Sequence, residues 1–495
     1  MGETKSAKTS GDANLIYQLE GKPPLKIAVP LGLQHVLAMF VGNLTPLMII
    51  MGICGMTADG GFAALRISLL QNAMLIAGIV TLVQCFTLGP VGGRVPIVMG
   101  TSSGFIGVMS SAANAMGGGL IGYGAVLGAS FIGGLFEAVL GVFLKPLRKF
   151  FPPLVTGIVV MSIGLSLISV GVNSFGGGNK NGDFGSAENL FIGFFVLIVI
   201  LVLKHGTKGF TSTSSILIGI IAGYVLCAIM GAFLPHTYTY TNDAGEAVEA
   251  TKSWVLNWQA VKEAAWFQVP AFMPVNWVFD VKAIAPIMVM FVVTAVETIG
   301  DISGVCEGGM NREPSDRELS GGIMCDGLGS SFAALFGVLP NTSFSQNVGL
   351  VAMNKVVNLF TIGIGGVFLI LCGLFPKLAA LMSIMPNSVL GGAAVLMFSS
   401  IIVSGIQLVT KEPLTPRNVS IVATSLGVGY GLGTTTGALA KMPQFVQLIF
   451  GESGIVSACV IALVMNALIR PDKPHTPPAA EQPDNPMEPL IEEEK

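Results

Sequence analysis

The sequence IGGLFEAVLG at residues 132–141 occurs again in related form 232 residues later, as IGGVFLILCG at 364–373. A second pattern, Pro-x-x-Val-x-Gly, starts at residue 152 and recurs at an offset of 234, at residue 386. Two patterns in the same order at nearly one offset indicate that the two halves of the chain are related. Glycine-rich membrane helices also resemble one another without a repeat, and that alternative stays open here.

The composition is that of a polytopic membrane protein. The 495 residues are 52% hydrophobic and only 11% charged, with 64 Gly, whereas soluble domains carry about 25% charged residues. The mean hydropathy is +0.75. A formal net charge of -3 leaves no basic surface for nucleic acid. Soluble enzymes and nucleic-acid-binding proteins are therefore excluded.

Apolar runs long enough to cross a bilayer recur along the whole chain. We count fourteen candidate spans, at residues 27–54, 67–88, 95–115, 121–144, 154–172, 190–203, 215–234, 283–304, 321–339, 341–357, 359–382, 388–409, 419–437 and 455–469. Seven spans separate each repeated pattern from its copy, and an odd number places the copies in opposite orientations. The sequence thus predicts an all-α membrane protein of two inverted seven-helix repeats, spans 1–7 at 27–234 and spans 8–14 at 282–470.

Basic residues favour one orientation of these spans, because Lys and Arg accumulate in cytoplasmic loops. With the amino end inside, the loops after spans 4, 6, 8 and 12 face the cytosol. These loops carry Lys145, Arg148, Lys149, Lys204, Lys208, Arg312, Arg317, Lys411 and Arg417. The polar tail at 1–26 and the proline-rich, acidic tail at 471–495 are then both cytoplasmic, and the latter is expected to be disordered.

One long segment, at 235–281, separates the two halves and contains all four Trp residues of the chain. Tryptophan prefers the headgroup layer of a membrane. We expect this segment to be an external, partly amphipathic connection that lies on the membrane surface.

Spans 3 and 10 are poor unbroken helices. The stretches at 94–104 and 338–349 each place a Pro in an extended-looking sequence and then pass through small polar residues into an apolar helix. Paired interrupted spans mark the binding site in inverted-repeat transporters. Short extended stretches at membrane depth would expose backbone groups and a helix amino end to a cavity, which suits a polar ligand.

Ionisable residues within spans are expensive to insert and are therefore site candidates. They are His35, Glu137, Glu297, Asp301, Glu307 and Asp326. Glu297 and Asp301 are four residues apart and share one helix face. Two carboxylates in a low dielectric repel each other, so that at least one favours its protonated form. Alternatively, a buried carboxylate only caps a broken helix, and this alternative weighs most for Glu137 and Glu307.

Sequence motifs for nucleotide hydrolysis or metal binding do not occur. The chain has no G-x-x-x-x-G-K-[ST] run, no HExxH and no CxxC pair. The glycine-rich run at 427–433 lies within an apolar span and is interpreted as a helix-packing surface. We therefore expect neither an enzyme nor a resident cofactor or metal, and only a co-transported H+ or Na+.

Taken together, these residues resemble the nucleobase-ascorbate transporters, also called nucleobase:cation symporters. The family motif is Gln or Glu, Asn, one residue, Gly, four residues, Thr, then Arg or Gly, and here it reads QNVGLVAMNK at 346–355. The sequences LQH at 33–35, VETIGD at 296–301 and DG at 326–327 also agree with the family. The motif departs from the family pattern at Asn354 and Lys355.

The resemblance implies a core of spans 1–4 and 8–11, a gate of spans 5–7 and 12–14, an elevator-type motion and a homodimer in the plasma membrane. It also implies the roles of individual residues. Expected substrate-binding residues are Glu297, Gln346, Asn347, Ser102, Ser103 and Ser345. Expected cation-coupling and organising residues are His35, Asp301 and Asp326.

Gln346 in place of Glu resembles the xanthine and uric acid permease branch. A Gln amide offers both a donor and an acceptor, which matches the adjacent carbonyl and N–H groups of an oxidised purine. The resemblance thus implies import of xanthine, uric acid or both, by cation symport and most simply with H+. A transporter of the same fold for uracil or an inorganic anion is the alternative, because fold alone does not fix function.

Overall fold

The computed structural model describes residues 14–57, 61–143, 152–178, 182–208, 210–241, 247–435, 437–443, 446–447, 450 and 454–470. The predicted tail at 471–495 and the basic loop residues Lys145, Arg148 and Lys149 lie outside these residues. Of the predicted tail at 1–26, residues 14–26 are described.

The first half of the chain is helical apart from one short strand. A 3-10 turn at Asn14–Tyr17 precedes the long helices, and a four-residue helix, Phe210–Thr213, lies between two of them. The main elements are α1 (Leu25–Ile53), α2 (Ala63–Phe86), β1 (Met99–Thr101), α3 (Ile106–Ala115), α4 (Gly119–Val142), α5 (Pro153–Phe175), α6 (Ala187–Gly206) and α7 (Ser215–Phe233).

The second half repeats this order of elements. A connection comes first, with the hairpin of β2 (Thr237–Thr241) and β3 (Ala247–Thr251) and a short helix, Trp258–Glu263. The main elements are α8 (Val281–Met310), α9 (Asp316–Leu335), β4 (Asn341–Ser343), α10 (Ser345–Asn354), α11 (Leu359–Cys372), α12 (Asn387–Val409), α13 (Pro416–Thr424) and α14 (Gly454–Leu468). After an 82° bend α11 continues as Pro376–Ser383, and α13 continues as a π-helix, Ser425–Tyr430, and a helical turn, Gly431–Thr434.

Eight of the described helices are long and apolar enough to cross a membrane, or nine if α11 and its bent continuation form one span. The eight are α1, α2, α4–α8 and α12. Each of the fourteen predicted segments contains at least one helix. Four of the additional segments are interrupted: a strand precedes the ten-residue α3 and α10, α11 is bent, and α13 continues as a π-helix. The other two are α14, a helix of 15 residues, and α9, an unbroken helix of 20 residues that is less apolar.

Capping groups explain where several helices begin. α9 begins with a capping box, in which Ser315 and Glu318 satisfy each other's backbone N–H groups. Asn358 caps α11 by accepting from the N–H of Thr361 at 3.0 Å. α5 begins with Pro153, whose missing N–H costs nothing in the first turn. Local sequence features therefore determine where these helices begin.

The two copies of the IGG pattern make reciprocal contacts. In α4, Gly134 packs against Gly327 of α9, and a Cβ at Gly134 would lie 2.4 Å from the Gly327 carbonyl oxygen. In α11, Gly366 packs against Gly78 of α2. The fourth helix of each half thus packs closely on the second helix of the other half, which only glycine allows at these positions.

The two copies of the Pro-x-x-Val-x-Gly pattern open α5 and α12, which pack against each other. Gly157, near the start of α5, contacts Val409 at the end of α12. Gly391, near the start of α12, contacts Phe175 at the end of α5. The two helices are therefore antiparallel and make equivalent contacts at both ends.

The helices form two packed groups. We call α1–α4 with α8–α11 the core bundle, and α5–α7 with α12–α14 the gate bundle. The broadest contacts within the core bundle are those of α4 with α8 and α9, and of α11 with α1 and α2. Within the gate bundle they are those of α12 with α5 and α6.

The Trp-rich connection is more deeply packed than we expected. Trp266 is 74% exposed and Trp258 46%, as suits a membrane surface, but Trp254 is fully buried within the protein. Its neighbour Ser253 is held by Asp183 through backbone and hydroxyl bonds of 2.8 Å each. The surface position predicted for Trp254 is wrong, because these bonds draw the strand end onto the loop before α6.

Candidate functional site

A two-stranded antiparallel ribbon lies at the centre of the core bundle. β1 pairs with β4 in the register Met99 with Ser343, Gly100 with Thr342 and Thr101 with Asn341. The extended stretches predicted in spans 3 and 10 are thus confirmed. Their pairing across more than 200 residues of sequence was not predicted, because register is set by tertiary contacts.

Side chains from three helices satisfy the outer edges of this ribbon. Asn43 of α1 accepts from the N–H of Thr101 at 2.8 Å, and Thr81 of α2 accepts from the N–H of Met99 at 2.9 Å. Ser330 of α9 accepts from the Asn341 N–H at 3.0 Å. A strand edge inside a membrane protein needs such partners, because lipid offers none.

A small cavity of about 40 Å³ lies beside the ribbon, between the core and gate bundles. Its core side is formed by residues of β4, by residues that follow each strand, and by one carboxylate from α8. These are Ser102, Ser103, Gly104, Thr342, Ser343, Phe344, Ser345 and Glu297. Ile163 of α5 and Ile401 of α12 close it from the gate side. The predicted substrate residues Ser102, Ser103, Ser345 and Glu297 thus share one cavity.

The two carboxylates of α8 meet the start of α10. Asp301 Oδ2 accepts from Ser343 Oγ at 2.6 Å and from Ser345 Oγ at 3.0 Å. Ser345 Oγ is also 3.4 Å from Glu297 Oε1. The predicted common face of Glu297 and Asp301 is confirmed, because one serine reaches both side chains.

Glu297 is the group at the cavity with free capacity to bind a ligand. Its Oε2 is buried and has no hydrogen-bond partner among the described residues. A buried carboxylate oxygen without a donor is costly. A ligand that offers N–H or O–H donors would remove that cost.

The third carboxylate, Asp326 of α9, lies behind the cavity lining. It is fully buried, and its Oδ2 accepts a hydrogen bond from Thr298 Oγ1. Thr298 Oγ1 is also 3.3 Å from Ser343 Oγ. The hydroxyl groups of Thr298 and Ser343 thus lie between Asp326 and Asp301, and this position suits the organising role predicted for Asp326.

His35 and Asn347 form a separate buried pair. Asn347 Nδ2 donates to the backbone carbonyl of His35 at 3.1 Å and is 3.5 Å from His35 Nδ1. His35 is 1% exposed, Asn347 is fully buried, and neither lines the cavity. The structure therefore places Asn347 as a partner of α1 behind the site, whereas we expected it to contact substrate.

Gln346 lies in the first turn of α10, but its side chain is outside the described part of the chain. The side chain of Asn354 is outside it as well. Lys355, where the family motif departs from its usual residues, ends α10 in the left-handed conformation with φ of 57°. Its Nζ donates to the Gly308 carbonyl of α8, so that Lys355 links the ends of the two site helices.

Two further candidates lie away from the cavity. Glu307 is half exposed and lies 3.4 Å from Lys411, so it is a surface residue, in line with the structural alternative favoured for it from the sequence. Its position near the end of α8, beyond the apolar stretch, explains this. Glu137 is fully buried and contacts Thr294 rather than the cavity.

Among the described residues that line the cavity, the charged side chain is a carboxylate and none is Lys or Arg. Among the described residues, no three His, Cys, Asp or Glu side chains are grouped as a metal site. The site can therefore accept hydrogen bonds through Glu297 and attract a cation. It lacks the basic side chains that would bind an anion.

Sequence reasoning missed several residues of this arrangement, among them Thr298, Ser343, Ile163 and Ile401. Thr298 and Ser343 lie within the sequences singled out for their carboxylates and polar character, so a signal was present. Ile163 and Ile401 are apolar residues within apolar helices and gave no signal. Only the packing of the gate bundle against the core bundle identifies them.

Comparison with known proteins gives matches over almost the whole chain. The Permease family model, Xan_ur_permease, matches residues 26–437. Xanthine permease XanP of Escherichia coli K12 is 32% identical over 476 residues, covering 93% of this chain and 96% of the relative. Uric acid permease PucK of Bacillus subtilis is 32% identical, covering 90% and 96% respectively. Uric acid transporter UacT of Escherichia coli K12 is 33% identical, covering 88% and 84%.

Two solved structures share the fold at low sequence identity. The transmembrane domain of a cyanobacterial bicarbonate transporter, BicA, has a TM-score of 0.53 and 14% identity, covering 89% of this chain and 97% of that domain. SLC26A9 has a TM-score of 0.57 and 10% identity, covering 94% of this chain and 69% of that one. These likenesses show the fold alone.

Proposed function

The chain belongs to the xanthine/uracil permease family, and from that premise we propose that it imports a purine nucleobase, xanthine or uric acid or both, together with a cation. As a permease it is a multi-pass membrane protein and a transporter, not an enzyme. The names of XanP, PucK and UacT support a purine substrate.

The observation that carries the proposal is the buried Oε2 of Glu297 at the cavity between the two bundles, which has no partner in the part of the chain that the structure describes. Oxidised purines present several ring N–H groups, and a carboxylate accepts from them with charge-assisted hydrogen bonds. Gln346, one residue beyond Ser345, would supply a donor and an acceptor to the carbonyl and N–H edge of the ring. Ser102, Ser103 and Ser345 provide further hydroxyl groups around the same cavity.

The coupling cation proposed here is H+. Glu297, Asp301 and Asp326 are joined through the hydroxyl groups of Ser345, Ser343 and Thr298. Carboxylates held together in a low dielectric favour taking up a positive charge. A proton can be passed among such groups, whereas Na+ would need several oxygens around one point.

Transport is proposed to proceed by alternating access in two inverted seven-span repeats. The reciprocal contacts of α4 with α9 and of α11 with α2, and the antiparallel pair of α5 and α12, support this symmetry. Fourteen spans follow if the short and broken elements also cross the membrane. Both termini are then cytoplasmic, and a homodimer in the plasma membrane is the proposed assembly.

The cavity of about 40 Å³ has room for a few water molecules rather than for a bicyclic purine. Ile163 and Ile401 line it from the gate side, so movement of the core bundle away from the gate bundle would enlarge the space for substrate. An elevator-type displacement of the core bundle would provide such movement.

An inorganic-anion carrier is the competing function, because BicA is a bicarbonate transporter and the fold is shared. The cavity argues against it, since its charged residue is Glu297 and its lining lacks Lys and Arg. A carrier for uracil is the other alternative, and Gln346 in place of Glu argues against it.

The test is uptake into vesicles that contain the purified protein. We expect labelled xanthine or urate to enter faster with an inward proton gradient, with and without sodium. Unlabelled xanthine, urate, hypoxanthine, guanine and uracil as competitors define the substrate range. Flux of bicarbonate, sulfate or chloride without purine uptake would overturn the proposal in favour of the anion carrier.

A further inference from the structure

Glu137 is a buried acid that the proposed transport mechanism does not use. It lies in the second half of α4 and is fully buried. The nearby Gly133 and Gly134 bring α4 against Phe291 of α8 and Gly327 of α9. Its carboxyl group is therefore enclosed between three helices of the core bundle.

The hydrogen bonds around Thr294 indicate where the proton of Glu137 lies. Thr294 Oγ1 is 3.1 Å from Glu137 Oε1, 3.3 Å from the Met290 carbonyl and 3.2 Å from the Phe291 carbonyl. A hydroxyl group has one proton to donate, and carbonyl oxygens can only accept. In a helix, Thr commonly gives that proton to a preceding carbonyl. If Thr294 gives its proton to a backbone carbonyl, the hydrogen bond between Thr294 and Glu137 requires a proton on the Glu137 carboxyl group.

Among the described residues, no Lys or Arg side chain pairs with Glu137. The charged groups near the middle of the helices that pack against α4 are all acidic: Glu297 and Asp301 of α8 and Asp326 of α9. The other charged groups of these two helices lie toward the helix ends. They are Asp280, Lys282 and Glu307 for α8, and Asp316, Arg317 and Glu318 for α9, where Arg317 donates to the Gly89 and Pro90 carbonyls. The segment before Asp280 approaches α4 through backbone carbonyl groups. The carbonyl of Asn276 lies against Gly124, and the carbonyl of Val278 lies against Gly128. The α3 helix contains no ionisable residue.

The second carboxyl oxygen of Glu137 gives a further argument. Oε2 is buried and has no hydrogen-bond partner among the described residues. On a carboxylate, this oxygen would be an unpaired buried charge, which costs several kcal/mol. On a neutral carboxylic acid it is a carbonyl oxygen, whose desolvation costs far less.

We propose that Glu137 is a neutral carboxylic acid that keeps its proton throughout the transport cycle and donates it to Thr294 Oγ1. Glu137 is then a positioning residue. Thr294 lies one helical turn before Glu297, so the bond fixes α4 to the part of α8 that carries the substrate-binding carboxylate. This positioning role rests on the proposed function, whereas the protonation state does not.

Infrared spectroscopy of the whole protein tests the protonation state directly. A neutral carboxylic acid gives a carbonyl stretching band distinct from that of a carboxylate. We expect one such band to persist from neutral to alkaline pH, to be absent from Glu137→Gln, and to shift in Thr294→Val, where the acid loses its acceptor. A band of Glu137 that disappears as the pH rises would overturn the proposal.

Uptake in vesicles tests the positioning role. The Gln side chain has the same shape and an N–H that can donate to Thr294, so Glu137→Gln should keep KM and rate within about twofold, with an unchanged pH profile. Glu137→Leu, which fills the space without a donor, should raise KM several-fold. A shifted pH profile in Glu137→Gln would show that Glu137 exchanges its proton during transport and would overturn the proposal. Absence of purine uptake by the unmodified protein would contradict the proposed function instead, and leave the infrared result valid.

Discussion

Two regions of the molecule are each built from corresponding parts of the two halves: the ribbon of β1 and β4 in the core bundle, and the pair of α5 and α12 in the gate bundle. The first is lined by polar side chains, whereas the second is held together by glycine contacts. Around β1 and β4, hydroxyl groups and carboxylates meet, and Glu297 and Asp326 each keep a buried oxygen without a described partner. Between α5 and α12, glycine residues of one helix contact the backbone of the other; for example, Gly391 of α12 contacts the backbone of Phe175 in α5.

This difference separates the residues that bind from the residues that only hold the helices together. Glycine contacts permit the closest approach of two helices and leave no capacity for a ligand. Unsatisfied buried polar groups lower stability, so their presence beside a cavity indicates a function. Substitutions in the ribbon region should therefore affect transport, and substitutions between α5 and α12 should affect stability.

The largest effect is expected for Glu297→Gln. The change removes the negative charge whose free oxygen faces the cavity, and charge-assisted hydrogen bonds of about 1.5–3 kcal/mol are lost. We expect uptake of labelled xanthine to fall by about 100-fold, with little change in thermal stability. Glu307→Gln, on the exposed end of the same helix, is the matched control and should transport normally. Equal uptake by both variants would contradict the site.

The next largest effect is expected for Gly391→Ala in the gate bundle. The added Cβ would lie 2.0 Å from the backbone nitrogen of Phe175, so α5 and α12 must separate. Overpacking of this kind costs about 2 kcal/mol, which a thermal unfolding measurement in detergent would detect. Gly427→Ala is the control, because a Cβ there meets no atom within 4 Å. If both variants unfold at the temperature of the unmodified protein, the close contact of α5 with α12 is wrong.

A smaller effect on transport is expected for Ser343→Ala. This hydroxyl group donates to Asp301 at 2.6 Å and contacts Thr298, so its removal breaks the link between the carboxylates. We expect uptake to fall about tenfold, which corresponds to one hydrogen bond to a charged group. Ser162→Ala in α5 removes an equally buried hydroxyl group that bonds only the Ile158 carbonyl, and uptake should not change. A similar loss of uptake in both variants would show that the ribbon region is no more important for transport than the pair of α5 and α12.

The smallest effect is expected at the rim of the core bundle, at Glu318 before the predicted ninth span. Burial alone would raise its pKa, but hydrogen bonds from Arg312 and Ser315 outweigh burial and hold the pKa below its usual value. The ionised form therefore stabilises the folded protein at neutral pH. This stability begins to fall as the pH reaches the usual Glu value of about 4.3 and is lost as the pH falls further, through the lowered pKa of the folded state.

Thermal unfolding as a function of pH tests this interaction. Glu318→Gln should unfold at a lower temperature than the unmodified protein at pH 7, and the difference should close in acid. Glu20→Gln is the control, since its bond with Arg94 is exposed at both partners and contributes little. A pH-independent difference for Glu318→Gln would show that the ionised form is not what stabilises the helix start.

Local features of the sequence were enough to predict much of this molecule. Hydropathy located a helix in each of the fourteen predicted segments, and the interrupted stretches at 94–104 and 338–349 indicated the strands. Helical spacing placed Glu297 and Asp301 on one face. These predictions succeeded because apolar length, proline position and helical period act over a few residues.

The tertiary structure alone decided which distant residues meet. The register of β1 on β4, the bonds that join Asp326 to Ser343 through Thr298, and the closing of the cavity by Ile163 and Ile401 depend on how the helices pack. Packing also buried Trp254, against the surface position expected for its segment, and it placed Glu307 at the surface. The sequence by itself thus determined the helices and strands and the carboxylates within them. The tertiary structure decided which of these carboxylates face a shared cavity, because contacts between distant residues depend on how the two bundles pack.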